Sequence, residues 1–483
     1  MNQLLSMSAT QLANLIKNQD ISSQDIIKIH IEQIKKVNPF LNAIVKDRFN
    51  EALNEASAAD NLVKSSKDEN DLPLFLGVPC TIKESFALKG MPNTSGLISR
   101  KGVIPDYDAI TVKRVRDAGF IPLGVTNTSE LCLWMETNNT VYGRTNNAYD
   151  QNRTAGGSSG GEGAIVGSGG SPFGLGSDIG GSIRSPAFFN GVFGHKPSGG
   201  LVPSTGQFPI SENKIALYST SGPICRKAED LMPILKILSG PDGVDSECKN
   251  MEIGSIQDVK IENLTIIDIP DNSKTKVCKD LRDVQKKCIL ELESKGAKVK
   301  AASIDKLKDS FHIWLSMIDV ELSKSYSSQI GFLSPFQTAL ELLKFILGKS
   351  NHTLPAILFS LIEYLPSTKI NYYIELGNEL RNELINLIGK DGILIFPSYS
   401  VPAPKHNLPI IYYDHWVYTG IYNVLEFPGT QIPMGVNKEN IPLGVQILSI
   451  PGNDHKTIAV ALELEKIFGG WRPPWELGLS AYK

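Results

Sequence analysis

The sequence predicts an α/β protein with a central, mixed, largely parallel and twisted β-sheet flanked by many helices on both faces. Three observations carry that expectation. Short apolar runs bounded by Gly and Pro, at residues 76–82, 121–125, 264–269 and 393–396, read as buried strands. Segments with a 3.6-residue apolar period precede and separate them, the alternation that builds α/β cores. Hydrophobic residues make up 41% of the chain and charged residues 20%, a globular composition that argues against disorder.

Along the chain, residues 8–38 read as two helices. Ser8 and Gln11 form a capping box ahead of Leu12, Leu15 and Ile16. Ser22 with Asp25 opens the second, in which Ile27, Ile31, Ile34 and Val37 keep the helical period until Pro39. A polar helix over residues 51–64 runs into the charged stretch 64–71, and from Leu74 the texture changes to short apolar runs. Residues 335–365 stand apart. Phe336, Leu340, Leu343 and Leu347 form one apolar stripe, widened by Leu342, Phe345 and Ile346, and LPAILFSLIEYL follows almost without polar residues. Two short helices of this kind read either as buried core or as a hydrophobic cap over an acyl pocket or a bilayer surface.

A length of 483 residues allows about three domains at ~150 residues each. No internal repeat and no linker rich in Gly, Ser or Pro divides the chain, so one unit spanning 1–483 is expected. Within it, 1–70 is a helical N-terminal region, 74–225 the core that carries the chemistry, 335–365 an apolar cap insertion and 390–483 the C-terminal part of the core.

Lys and Arg total 48 against 51 Asp and Glu, a net charge of −3, which gives no support for nucleic-acid binding. The six cysteines are scattered without a CxxC pair, and the seven histidines show no metal-ligand spacing, so neither a disulfide framework nor a metal is expected. No signal-peptide pattern and no run of ~18 apolar residues occurs. A cytoplasmic protein is the expectation.

The glycines are the most telling feature: 16 of 42 fall between Gly156 and Gly200. A phosphate cradle fails there, because GxxxxGK[ST] is absent and GxGxxG is broken at Ile179. A GxSxG elbow matches at Gly156–Gly160 and at Gly157–Gly161, but Asp150-Gln-Asn-Arg-Thr ahead of it cannot form the strand that elbow requires. A third reading uses more residues. Ser182 sits in Asp178-Ile-Gly-Gly-Ser-Ile-Arg184, where glycines let successive N–H groups turn toward one point as an oxyanion hole. His195 lies 13 residues on, in no informative motif. Lys83 ends the apolar run GVPCTIK, and desolvation at a strand end lowers a lysine pKa toward the neutral base a serine needs. A salt bridge at the strand end is the plainer account of that lysine.

The segment GGSSGGEGAIVGSGGSPFGLGSDIGGSIRSPA together with GVPCTIKESF closely resembles the amidase signature family. The resemblance extends through NPFLNAIVKD, residues 109–120, GVTNTSEL and the C-terminal NVLEFPGTQIPMGVNKENIPLGVQIL. It implies the amidase-signature fold and a Ser–cis-Ser–Lys triad, whose spacings of 75 and 24 residues match Lys83, Ser158 and Ser182. Ser182 is then the acyl nucleophile. Ser158, across a cis peptide to Gly157, shuttles a proton between Ser182 and the general base Lys83. The N–H groups of Ile179, Gly180, Gly181 and Ser182 form the oxyanion hole, and Ser159, Asp178 and Arg184 support the loop by hydrogen bonds.

Within that family, GGEGAIVGSGGSPFGLGSDIGGSIR, APKH at 403–406 and NDHKTIAVALELEKIFGGW resemble the fatty-acid amide hydrolases. That implies hydrolysis of long-chain acyl amides to acid and amine, with no cofactor. It also implies an acyl pocket at Cys132, Leu133, Trp134 and Met135, and a cap at 335–365 that suits peripheral membrane contact or a homodimer. Membrane-anchored relatives carry a spanning helix ahead of the first of these helices and this sequence shows none, so integral anchoring is not expected. Amidases for short or aromatic amides, amidotransferase A-type subunits and inert scaffolds share the same pattern and are the alternatives.

Overall fold

The computed structural model describes residues 2–322, 325–332, 334–364 and 369–479. Its strands in chain order are β1 (Ile44–Asp47), β2 (Pro79–Lys83), β3 (Ile121–Thr126), β4 (Asn138–Asn139), β5 (Gly143–Arg144), β6 (Phe173–Asp178), β7 (Phe193–Lys196), β8 (Thr220–Cys225), β9 (Thr265–Asp268), β10 (Lys298–Ala301), β11 (Gly392–Phe396), β12 (Gly429–Val436) and β13 (Pro442–Leu448). Among the described residues, eleven of them form one sheet in the order β1-β3-β2-β6-β8-β7-β12-β13-β11-β9-β10, accompanied by seventeen α-helices; β4 and β5 pair as a separate hairpin.

The four strands expected from apolar runs all lie in this sheet. The expectation of a largely parallel sheet does not hold. Only four contacts are parallel (β2–β3, β2–β6, β9–β10 and β9–β11), and six are antiparallel. The antiparallel members escape sequence reading because β6 (FGLGSD) and β8 (TSGPIC) carry Gly, Ser and Pro in place of β-branched side chains, yet both are buried along their whole length.

The two N-terminal helices begin where the caps place them. Ser8 Oγ accepts the Gln11 N–H at 2.9 Å and Gln11 Oε1 accepts the Ser8 N–H at 3.1 Å, and helix Ala9–Lys17 buries Leu12 and Ile16. The second helix, Ser23–Leu41, runs two residues past Pro39, on an exposed turn where water can serve the carbonyl that proline leaves unpaired. The polar helix forms over Phe49–Ser65.

Helices Pro335–Ile346 and Leu354–Glu363 form a cap, and the buried-core reading of this segment is overturned for the first of them. Phe336 and Ile346 are 76% and 72% exposed, and Leu340, Leu343 and Leu347 are exposed beside them. The cap has its own small apolar cluster, in which Tyr326, Ile330, Phe332, Ala356 and Ile357 pack with Leu97 and Leu131. Leu365, the last residue of the expected insertion, lies outside the described residues. No helix among the described residues is long and apolar enough to cross a membrane.

Candidate active site

The central strands β2 and β6 lie side by side and deliver the chemistry. β2 ends at Lys83, and β6 ends at Asp178, from which the chain turns through Ile179, Gly180, Gly181 and Ser182 into helix Arg184–Phe189. Hydrogen-bonded to both strands is the segment Gly156–Ser159, whose Gly157–Ser158 peptide is cis and which leads into helix Gly160–Gly167.

Lys83 is fully buried. Its Nζ donates to Ser158 Oγ at 2.7 Å and to Ser177 Oγ at 2.9 Å. Burial lowers its pKa from the ordinary lysine value, with Cys132, Asp178 and Glu162 pulling the other way. Ser177 is a site residue that sequence reading missed; its place in β6, alternating with the inward glycines 174 and 176, was the available signal. Ser182 Oγ makes no hydrogen bond with the chain among the described residues and faces a cavity. The Ser159 N–H donates to the Ser182 carbonyl at 3.3 Å, and Ser159 Oγ donates to the Ser177 carbonyl at 3.2 Å, so Ser159 ties the two serine segments together.

Asp178 shapes the turn. Its carboxylate accepts the N–H groups of Gly181 at 2.7 Å, Ile183 at 3.1 Å and Arg184 at 3.3 Å. Both Asp178 oxygens also face the fully buried Arg184 guanidinium, which donates further to Gln446 Oε1, the Thr419 carbonyl and Asn423 Oδ1. Burial works to raise the Asp178 pKa, but Arg184, Lys196 and Asn423 together hold the carboxyl well below the usual range. Thr419, Asn423 and Gln446 are part of this frame although nothing in their local sequence marks them.

Of the four N–H groups expected in the oxyanion hole, that of Gly181 is turned away to Asp178. Those of Ile179, Gly180 and Ser182 have no partner among the described residues, and these three residues line the cavity. Gly181 has φ +111°, and a Cβ built there would overlap Thr419 Oγ1, so this position excludes any side chain on two counts.

A mainly apolar cavity opens at Ser182. All four residues expected at an acyl pocket, Cys132, Leu133, Trp134 and Met135, line it, opposite Trp314, Phe359 and Trp416. Trp314 Nε1 donates to the Ile179 carbonyl at 2.9 Å, fastening the aromatic wall to the oxyanion turn. Leu133, Ile179, Trp314 and Phe359 are also walls of a second cavity beneath the cap. His195 takes no part: its ring bonds Thr430 and Asp454.

The sequence pattern described as Amidase matches residues 25–458. The chain belongs to the amidase signature family. As an amidase it is an amide hydrolase, and curated relatives span nearly its whole length. It is 45% identical to fatty-acid amide hydrolase 2-B of Danio rerio and 43% identical to fatty-acid amide hydrolase 2 of Homo sapiens, each alignment covering 98% of this chain and 91% of the relative. In fold, the amidase resembles 6-aminohexanoate cyclic dimer hydrolase (TM-score 0.82, 23% identity, covering 99% and 100% of the two chains). It also resembles a solved fatty acid amide hydrolase (TM-score 0.80, 21% identity, 97% and 86%).

Proposed function

We propose that this amidase hydrolyses amides of long apolar acyl chains to free acid and amine through an acyl-enzyme on Ser182. The observation that carries the reading is the apolar lining of the cavity at Ser182, which shares Leu133, Ile179, Trp314 and Phe359 with a second, mainly apolar cavity beneath the cap, a path suited to an extended acyl chain. The 43–45% identity to the fatty-acid amide hydrolase 2 proteins supports the same substrate class.

In this mechanism the neutral Lys83 amine draws the Ser158 hydroxyl proton, and Ser158 in turn takes the proton of Ser182 as its Oγ attacks the acyl carbonyl. The oxyanion develops against the N–H groups of Ile179, Gly180 and Ser182, with Gly181 holding the turn through Asp178. Collapse of the intermediate sends the proton back from Lys83 through Ser158 to the leaving amine, and water repeats the sequence on the ester. The 2.7 Å Lys83–Ser158 hydrogen bond supports the first link. The Ser158–Ser182 link is one that tightens when substrate fills the cavity. Ser159, Asp178 and Arg184 keep the three backbone segments in register, and Cys132, Leu133, Trp134 and Met135 contact the acyl chain.

A fluorophosphonate probe is expected to label Ser182, and labelling that persists in Ser182→Ala rejects the nucleophile. Lys83→Ala is expected to reduce turnover severely and to flatten its pH dependence. Turnover measured on a series from acetyl to oleoyl amides is expected to rise with chain length; preference for acetyl or aromatic amides overturns the substrate class. The exposed apolar face of helix Pro335–Ile346 supports peripheral contact with a bilayer. Sedimentation with phosphatidylcholine vesicles, lost in Phe336→Asp/Ile346→Asp, tests it, and a dimer in solution broken by the same change assigns that face to a second copy.

A further inference from the structure

Two hydroxyl groups along the acyl path are left without a use by the rest of the chain. The cavity beneath the cap is walled mainly by apolar residues, yet Ser316 and Tyr326 also line it. Ser316 lies in helix Ser310–Asp319, and Tyr326 opens the short helix Tyr326–Gln329. Both residues are more than nine-tenths buried, at 5% and 4% exposure. Among the described residues, neither hydroxyl makes a hydrogen bond with the chain. Other buried helical serines do: Ser310 Oγ donates to the Leu307 carbonyl at 2.6 Å, and Ser360 Oγ to the Ala356 carbonyl at 2.9 Å. A buried hydroxyl without a partner costs stability, and two in one cavity point to a ligand that brings the partner.

Both residues stand beside walls shared with the Ser182 cavity. Ser316 follows Trp314 by two residues, and Trp314 Nε1 holds the Ile179 carbonyl of the oxyanion turn. The Tyr326 ring meets the Phe359 ring edge-on, with centroids 5.7 Å apart. Trp314 and Phe359 line both cavities, so an acyl chain that follows them away from Ser182 enters the space that Ser316 and Tyr326 border.

We infer that Ser316 and Tyr326 are specificity-determining residues that bind a neutral oxygen group, a hydroxyl, carried on the acyl chain, so that amides of hydroxylated long-chain acids are the preferred substrates. The inference deepens the long-chain reading of the site and rests on it.

Charge selects the class of group. Asp319 and Glu363 also line this cavity, which sets it against a chain that ends in a carboxylate. The Glu363 oxygens are already engaged, Oε1 by the Tyr326 N–H at 2.7 Å and Oε2 by the Ser327 N–H at 2.8 Å. Burial pushes the Tyr326 phenol pKa well up, and Glu130, Glu363 and Cys132 act in the same direction, so the phenol keeps its proton and offers it as a donor. A chain-end ammonium has no lone pair for that proton. A hydroxyl has lone pairs to accept from a phenol and a proton to donate to a serine oxygen.

The test is kcat/KM for a series of octadecanoyl primary amides, one unsubstituted and the others with a single hydroxyl moved stepwise along the chain. A maximum about tenfold above the unsubstituted amide is expected at one stretch of the chain, the order of one neutral hydrogen bond. It is expected in KM more than in kcat, because the contact lies away from the reacting carbonyl. In Ser316→Ala/Tyr326→Phe the maximum is expected to vanish, and the single changes divide it between the two hydroxyls. The deleted oxygens hold nothing in the free enzyme, so the Tm of the double variant is expected to stay level or rise. A flat series in the wild type, a maximum that survives in the double variant, a lowered Tm there, or a preference for a chain ending in carboxylate or ammonium overturns the inference. Acetyl or aromatic amides preferred over every octadecanoyl amide reject the long-chain reading itself, so the two failures are distinct.

Discussion

The Asp178 carboxylate accepts the Gly181 N–H at 2.7 Å, while the neighbours Gly180 and Ser182, whose N–H groups have no partner among the described residues, line the cavity. The same carboxylate neutralises Arg184, a guanidinium with no exposure to water. One side chain therefore fixes both the curvature of the turn and the charge balance beneath it.

Asp178→Asn is expected to fail on both counts. It strands a buried arginine, a loss of ~3–5 kcal/mol in stability, and its amide cannot accept three N–H groups and a guanidinium together. A lowered Tm with loss of fluorophosphonate labelling is the expected pair of results. The pH sign follows from the depressed pKa of Asp178: the stabilisation is complete above the unfolded value of ~3.9 and falls away as the pH drops toward the folded value. Acid unfolding of Asp178→Asn should lack that component, as chemical denaturation between pH 2 and 5 can read.

Gly181→Ala places a methyl group against Thr419 Oγ1 on a backbone with φ +111°. The turn must shift to admit it, and the unpartnered N–H groups of Ile179, Gly180 and Ser182 shift with it. The expected loss in kcat is about 10²–10³-fold, the scale for a disturbed oxyanion hole. KM for an oleoyl amide should change much less, since the acyl walls stand on other elements.

Ser177→Ala removes one of the two hydroxyls that accept from Lys83 Nζ. A hydrogen bond to an ammonium favours the charged form, so its loss moves the acid limb of the pH–rate profile to lower pH. The rate at the optimum should fall by roughly tenfold, the scale of one hydrogen bond to a charged group.

Glu130 ties the cap to the pocket. Its carboxylate meets His352 Nδ1 at 2.6 Å and accepts the Thr353 N–H at 2.8 Å, at the start of helix Leu354–Glu363, while the next two residues, Leu131 and Cys132, take the left-handed conformation. Glu130→Ala leaves a buried histidine and a helix N-terminus unpaired. Limited proteolysis is expected to cut within 325–364 faster than in the wild type, and oleoyl-amide turnover to fall more than acetyl-amide turnover.

Sequence reasoning reached the parts of this molecule whose chemistry is local. A capping box needs only Ser8 and Gln11, and a strand end only the run into Lys83, while the pocket residues 132–135 come from the family resemblance alone. It failed where two distant segments define each other. Thr419, Asn423 and Gln446 are unremarked polar residues until Arg184 arrives from more than 230 positions earlier. β6 carries glycines at 174 and 176 because Glu162, Ile183 and Ser159 fill the space their side chains would take, so it lacks the residues that mark a strand. The cap helix shows an apolar stripe that pattern alone reads as core or as surface, and burial decides between them.

The frame around Arg184 also has a meaning in time. Lys83, Ser158 and Ser182 are made within the first 182 residues, but Thr419, Asn423 and Gln446 come from the last 65, and β12 and β13 join the sheet beside β7. A chain still being synthesised can hold Lys83, Ser158 and Ser182 and lack the frame around Arg184. Turnover is therefore expected only once the C-terminal strands have emerged and docked, which an amidase assay on ribosome-bound chains of increasing length reads.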